Sequence, residues 1–156
     1  MMRAGTVPAP SLGEKWRGLD PARRGLLIES LACLLVASLA LAVLPFRRVV
    51  DLPSAWRAGR PGPVPAELLV AEVHWAVTAA ARRLPWRALC FHQGLAAQML
   101  LRRRGVASTL HYGARLGPGQ DLKAHVWVTS GDLEVIGCES AAEFGRLASF
   151  ARCETL

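Results

Sequence analysis

Cys90 and His125 are the residues whose types and surroundings suit nucleophilic chemistry. Cys90 comes just after Leu84-Pro85-Trp86-Arg87, a break between two stretches of helical apolar spacing, so it falls near the start of the second. There the backbone N–H groups lack intrahelical partners, and the positive end of the helix dipole favours thiolate, the nucleophilic form of cysteine. His125 lies thirty-five residues later, in the middle of the alternating segment LKAHVWVTS, where its ring projects from one face of a strand. Packing that helix on that strand would join thiol and imidazole into a pair capable of acyl transfer. The same residues also suit a plainer role, a buried free thiol and a hydrogen-bonded core histidine.

A helix and a sheet must hold the two side chains. Ala66 to Arg83 carries apolar residues at helical spacing and ends in arginines, which suit a helix C-terminus. A second helix is predicted over roughly Arg87 to Arg104, stopped by Gly105. Ala107 to Leu116 and Leu122 to Ser130 read as strands around a Gly117-Pro118-Gly119 turn. Gly131-Asp132 then turns the chain into a third strand, Leu133 to Gly137. The tail from Ala141 reads as a short helix or irregular cover. Helices first and an antiparallel sheet after give an α+β fold, with the cysteine-bearing helix packed on a small sheet.

Ahead of that core, residues 1–24 are polar and contain Pro and Gly. They read as a flexible segment ending at a helix start, with Asp20 as N-cap and Pro21 in the first helical position. Residues 25–50 read as an apolar helix. Between Leu26 and Leu44 the only charge is Glu29, and Arg23, Arg24, Arg47 and Arg48 bracket the ends. That run spans about 28 Å, close to the hydrocarbon thickness of a bilayer. Its apolar residues fall on every face, so it is expected to be buried in the domain, bound to a partner or associated with a membrane. Residues 51–65 are a Pro/Gly-rich linker, and residues 66–156 the catalytic domain.

Composition narrows the class. The chain has 156 residues, the size of one domain, and its 52% hydrophobic content excludes intrinsic disorder. Nineteen Lys+Arg against twelve Asp+Glu give a net charge of +7, with lysine only at Lys15 and Lys123. Arg102-Arg103-Arg104 ends a helix, where cations offset the dipole, and 6% aromatics do not furnish a stacking platform, so nucleic acid is not an expected partner. Cys33, Cys90, Cys138 and Cys153 form no C-x-x-C pair, which points to a reducing compartment. The N-terminus lacks a signal-peptide pattern.

The motifs in order are Cys90 opening a helix, Arg102-Arg103-Arg104-Gly105, Thr109-Leu110-His111, Ala124-His125-Val126-Trp127-Val128, and a hairpin from Gly131 to Gly137. Over about Val70 to Phe150 this order resembles the leader-processing cysteine peptidases of lasso-peptide biosynthesis, the microcin-processing protein family of the transglutaminase-like superfamily. Leu44-Pro45-Phe46-Arg47-Arg48 is similar to that family's N-terminal segment. The resemblance implies a papain-like core and hydrolysis of the leader–core bond of a ribosomally made precursor, with Cys90 attacking and His125 moving the proton. It implies no cofactor for this chain. The implied partners are the precursor leader peptide, a separate leader-binding recognition protein and an ATP-using, asparagine-synthetase-like macrocyclase. The setting it implies is the bacterial cytoplasm; the apolar run itself, residues 26–44, adds inner-membrane association as one of its alternatives.

The pattern departs from the family at the third catalytic group. Members often carry an Asp about a dozen residues beyond the His; here the twelfth is Gly137, followed by Cys138 and Glu139. Asp132, the only aspartate of the hairpin, ranks first as a replacement, Glu139 second and Glu134 third. Glu134 shares strand parity with His125 if the turn is tight. A Cys–His dyad and orientation by a backbone carbonyl are the alternatives, as is a scaffold that keeps the fold without the chemistry. His92 points about 200° round the helix from Cys90, which suits packing. His111 reads as a plain strand position that could also face the cleft. Gln93 and Gln98 read as solvent-facing, with oxyanion donation as the second role, and Cys138 as a resolving thiol or zinc partner. No motif supports zinc, so no metal is expected.

Overall fold

A computed structural model describes residues 12–152. Within residues 1–24, expected to be a flexible segment, residues 1–11 lie outside that range, as does Cys153. Leu12–Arg17 is a short helix, α1. The start of α2 (Pro21–Val43) follows the capping pattern read from the sequence: the Asp20 carboxylate accepts from the Arg23 N–H at 2.9 Å, and Pro21 occupies the first turn.

The apolar segment is not one helix over 25–50. Pro45 crowds the residue before it, Leu44 is driven to an extended conformation (φ −104°, ψ 148°), and α2 ends there. A second helix, α3 (Phe46–Ala55), takes over and absorbs the first residues of the expected linker. The remainder of 51–65 is bound to the domain. Gly59 donates its N–H to the Arg102 carbonyl at 2.9 Å, and Arg102 Nε donates to the Trp56 carbonyl at 2.9 Å.

One face of α2 is core. Leu26, Leu27, Ser30, Cys33, Leu34 and Ala37 are buried against α4 (Ala66–Ala81) and α5 (Cys90–Arg103). The lone acid of the helix has a structural use: Glu29 meets Arg103 Nη1 at 3.0 Å and Arg104 Nη2 at 2.7 Å, tying α2 to the end of α5. α2 shares one hydrophobic core with α4, α5 and the sheet.

α5 is the central helix, buried from Gly94 to Leu101. Leu95, Met99, Leu100 and Leu101 are among the largest fully buried side chains, and truncating any of them to Ala costs about 2–5 kcal/mol. Against it lies a four-stranded antiparallel sheet of β1 (Ser108–Leu116), β2 (Leu122–Ser130), β3 (Leu133–Ile136) and β4 (Gly145–Arg152), in the order β3-β2-β1-β4. Leu110 pairs with Val128, and Tyr112 with Val126. Leu110, Val126 and Val128 press on Gly94, where a Cβ would stand 2.9 Å from Val126. Alternation places His125 and Trp127 on the other face of β2, with His111 of β1.

The tail departs from the expected helix or irregular cover. After a 3₁₀ helix (Cys138–Glu143), Gly145–Arg152 pairs with β1 as the fourth strand. Two contacts fix it: Phe150 packs on the core, and Ser149 Oγ bonds His111 Nδ1 at 2.9 Å.

Candidate active site

α5 starts at Cys90 itself. Leu89 is the N-cap, extended and with no side-chain cap, and Gln93 is the first residue to donate back, to the Leu89 carbonyl at 3.2 Å. The N–H groups of the first turn are thus without intrahelical partners, beside a partly exposed thiol. They form a ready donor set for negative charge developing on an oxygen next to the sulfur.

His125 is held from the far end of the hairpin. Its Nε2 lies 2.7 Å from the Gly137 carbonyl oxygen, and Ser140 Oγ is 3.3 Å from the same nitrogen. A carbonyl only accepts, so Nε2 carries the proton and Nδ1 is left as the basic nitrogen. The ring stacks on Trp127 at 6.1 Å and leans on Phe144 at 5.0 Å, which limits its rotation. Gly137 is the twelfth residue after His125, the position where an Asp was sought in the sequence. It is left-handed (φ 72°), and a Cβ there would stand 2.7 Å from the Val126 carbonyl oxygen. Only glycine fits, and its backbone oxygen is the atom that holds the imidazole at Nε2.

Cys90 and His125 line one cavity of about 340 Å³, and no direct hydrogen bond joins them. His74, Thr78 and Arg82, spaced four apart along α4, form another wall, and Gln93 and Glu139 complete the polar lining. His74 Nδ1 lies 2.7 Å from the Val135 carbonyl oxygen, so its Nε2 is the free nitrogen. The α4 wall was missed in the sequence because His74 and Thr78 sit inside an otherwise apolar helix; their four-residue spacing, continued by Arg82, was the available signal.

The remaining expectations divide. Asp132 is exposed in the β2–β3 turn, beyond Ser130, and the five steps along β2 from His125 to Ser130 span about 17 Å. It does not reach the imidazole. Glu134 has the right parity but pairs with Thr129, about 14 Å along the strand from His125. Glu139 alone of the three candidate acids lines the cavity, and it is exposed. His111 stays out of the cavity, buried with Nε2 at 3.0 Å from Thr129 Oγ1 and its ring 5.4 Å from Trp127. Burial, and then the charge of Arg146, pushes its pKa down. Burial also lowers His92, which packs outside the cavity.

Gln98 is buried rather than solvent-facing. Its Nε2 donates to the Phe150 carbonyl at 3.2 Å, clipping β4 to α5. Cys138 is occupied structurally: its thiol donates to the Val128 carbonyl at 3.3 Å, and burial followed by Glu134 raises its pKa. Cys33 is fully buried, and desolvation, then Glu29, pushes it up to about 12. Among the described residues no three His, Cys, Asp or Glu side chains gather as metal ligands.

A cysteine at a helix start and a strand histidine sharing one cavity define a thiol–imidazole site on an α+β fold. The family profile of the transglutaminase-like superfamily matches residues 32–149, about three quarters of the chain, and the chain belongs to that superfamily. The match begins within α2 and ends in β4, as the shared core requires. No curated protein and no solved structure matches the chain.

Proposed function

We propose that the chain is a cysteine peptidase that removes the leader from a ribosomally made, lasso-type precursor peptide. The observation that carries the chemistry is the pairing in one cavity of a helix-start cysteine with a histidine whose Nε2–H is committed to the Gly137 carbonyl. His125 Nδ1 takes the Cys90 thiol proton as the sulfur attacks the scissile carbonyl, and the oxyanion is met by the N–H groups of the first turn of α5. The tetrahedral centre collapses to a thioester, and the amine leaves with the proton from Nδ1. Water then adds to the thioester, His125 again accepting its proton, and the carboxylic acid departs as Cys90 is regenerated.

The order of motifs around Cys90 and His125 supports the substrate class, and superfamily membership supports the reaction class. In this reading a separate recognition protein presents the leader, an ATP-using asparagine-synthetase-like macrocyclase takes the released core, and the site is the bacterial cytoplasm. The test mixes purified chain, precursor and leader-binding partner, and follows leader release by mass spectrometry. Cys90→Ala and His125→Ala should each lower the rate at least ~10³-fold. Undiminished cleavage by Cys90→Ala sinks the assignment. A wild-type chain that gives neither cleavage nor acyl-enzyme with its authentic partners is a scaffold.

A further inference from the structure

α2 has two faces in the fold but a single chemistry. Its inner face is core, held by the Glu29 bridges to Arg103 and Arg104. Along its outer face every exposed residue from Gly25 to Val43 is apolar. Ile28, Leu35, Leu39 and Val43 are 57%, 46%, 58% and 75% exposed, with Ala32 and Ala42 between them. The stripe from Ile28 to Val43 runs about 22 Å. A helix facing water carries polar side chains there.

We infer that this outer face docks on an anionic lipid bilayer, with α2 lying in the plane of the surface. Three observations choose this occupant. Arginines outnumber acids at both ends of the stripe, Arg17, Arg23 and Arg24 against Asp20 and the Glu72 that pairs with Arg23, and Arg47 and Arg48 against Asp51. A second copy laid on the same face, parallel or antiparallel, would set basic end against basic end, whereas anionic headgroups complement both. Exposed Trp16 precedes the stripe in sequence and half-exposed Phe46, which also packs on Phe91, Tyr112 and Phe150, follows it, as aromatic side chains do at a membrane interface. A spanning orientation would strip α2 from α4 and α5 and leave the Glu29 carboxylate in hydrocarbon without Arg103 and Arg104. In the plane, the apolar stripe enters the headgroup boundary while the inner face keeps its contacts. The surface then sits close to the catalytic loop, because Trp86, four residues before Cys90, donates its indole N–H to Ser38 of α2 at 3.1 Å.

The test is flotation of the full chain with phosphatidylcholine vesicles, with and without phosphatidylglycerol. Wild type should float with the anionic vesicles, less so at high salt. Leu35→Glu/Leu39→Glu, checked for folding by circular dichroism, should partition at least ~10-fold more weakly. Arg47→Glu/Arg48→Glu alters exposed side chains alone and should weaken the preference for phosphatidylglycerol even if the leucine variant fails to fold. Wild type left behind by both vesicle types overturns the inference, as does either folded variant floating like wild type. A concentration-dependent dimer without flotation would assign the face to a second copy instead. None of these readouts depends on peptidase activity.

Discussion

Gly137→Ala separates orientation of His125 by a backbone oxygen from orientation by a side chain. Two strains add at this residue. A left-handed alanine costs about 1–2 kcal/mol. Its Cβ would also stand 2.7 Å from the Val126 carbonyl oxygen, which belongs to a buried residue of β2 and has little room to recede. The total is about 2–4 kcal/mol, equivalent to a drop in Tm of roughly 4–16 °C for a domain of this size. Relief of that contact requires the 137 backbone to shift, and the shift carries its carbonyl away from His125 Nε2. Loss of this bond, about 1.5–3 kcal/mol in a catalytic intermediate where the ring is charged, lowers kcat by roughly 10- to 150-fold. Gly131→Ala is the control: it is also left-handed (φ 57°), nothing lies within 4 Å of its added Cβ, and it sits in the turn beyond Ser130. Thermal melting, leader-release kinetics and ¹⁵N NMR of the His125 ring provide the three readouts. Gly137→Ala should lose stability, kcat and the pure Nε2–H tautomer; Gly131→Ala should lose only the about 1–2 kcal/mol of the left-handed backbone. A Gly137→Ala protein with wild-type kcat and an unchanged tautomer would refute the backbone-oxygen account.

Further outcomes follow from the same geometry. His74→Ala removes the bond to the Val135 carbonyl and one wall of the cavity, so stability should fall by about 1 kcal/mol and KM should rise, measured by melting and steady-state kinetics. In the native state, mass mapping after brief iodoacetamide treatment should find Cys90 alkylated well before Cys138 and Cys33. Cys33 has no exposure and a pKa near 12, and Cys138 is raised by burial. Equal labelling of Cys33 would contradict its place in the core. His111 and His92 are held below their ordinary 6.5, so the unfolded chain takes up protons that the native chain refuses. Stability should be full above about pH 6.5 and decline as pH falls from there toward the depressed native values; His111→Gln should flatten that decline in Tm.

The sequence was most legible where local rules act alone. Asp20-Pro21 marked the start of α2, Cys90 fell at the opening of its helix, and alternation over Leu122 to Ser130 marked the strand bearing His125. It was least legible where a tertiary partner decides. β4 contains Arg146, Ala148 and Ser149, a poor strand by composition, yet the open edge of β1 and the His111–Ser149 bond hold it. The partner of His125 was only partly legible: Asp132 was ranked first as the only aspartate of the hairpin, with a backbone carbonyl kept as an alternative. Reach along β2, not proximity in the chain, decides which hairpin residue meets His125, and a carbonyl oxygen has no one-letter signature. Glu29 and the arginine run looked like separate features until folding brought positions 29, 103 and 104 together.

Both imidazoles of the cavity are anchored to one short piece of backbone: His74 to the carbonyl of Val135, in the four-residue outermost strand β3, and His125 to that of Gly137, just past its end. β3 pairs with β2 on one side only, so although Val135 and Ile136 are buried its local opening costs less than global melting. One local opening would release both rings together, scrambling their tautomers while α5 and β1 remain intact. On warming, activity should therefore disappear as a single event several degrees before the far-ultraviolet signal changes. Amide exchange at residues 133–137 should follow inactivation rather than unfolding.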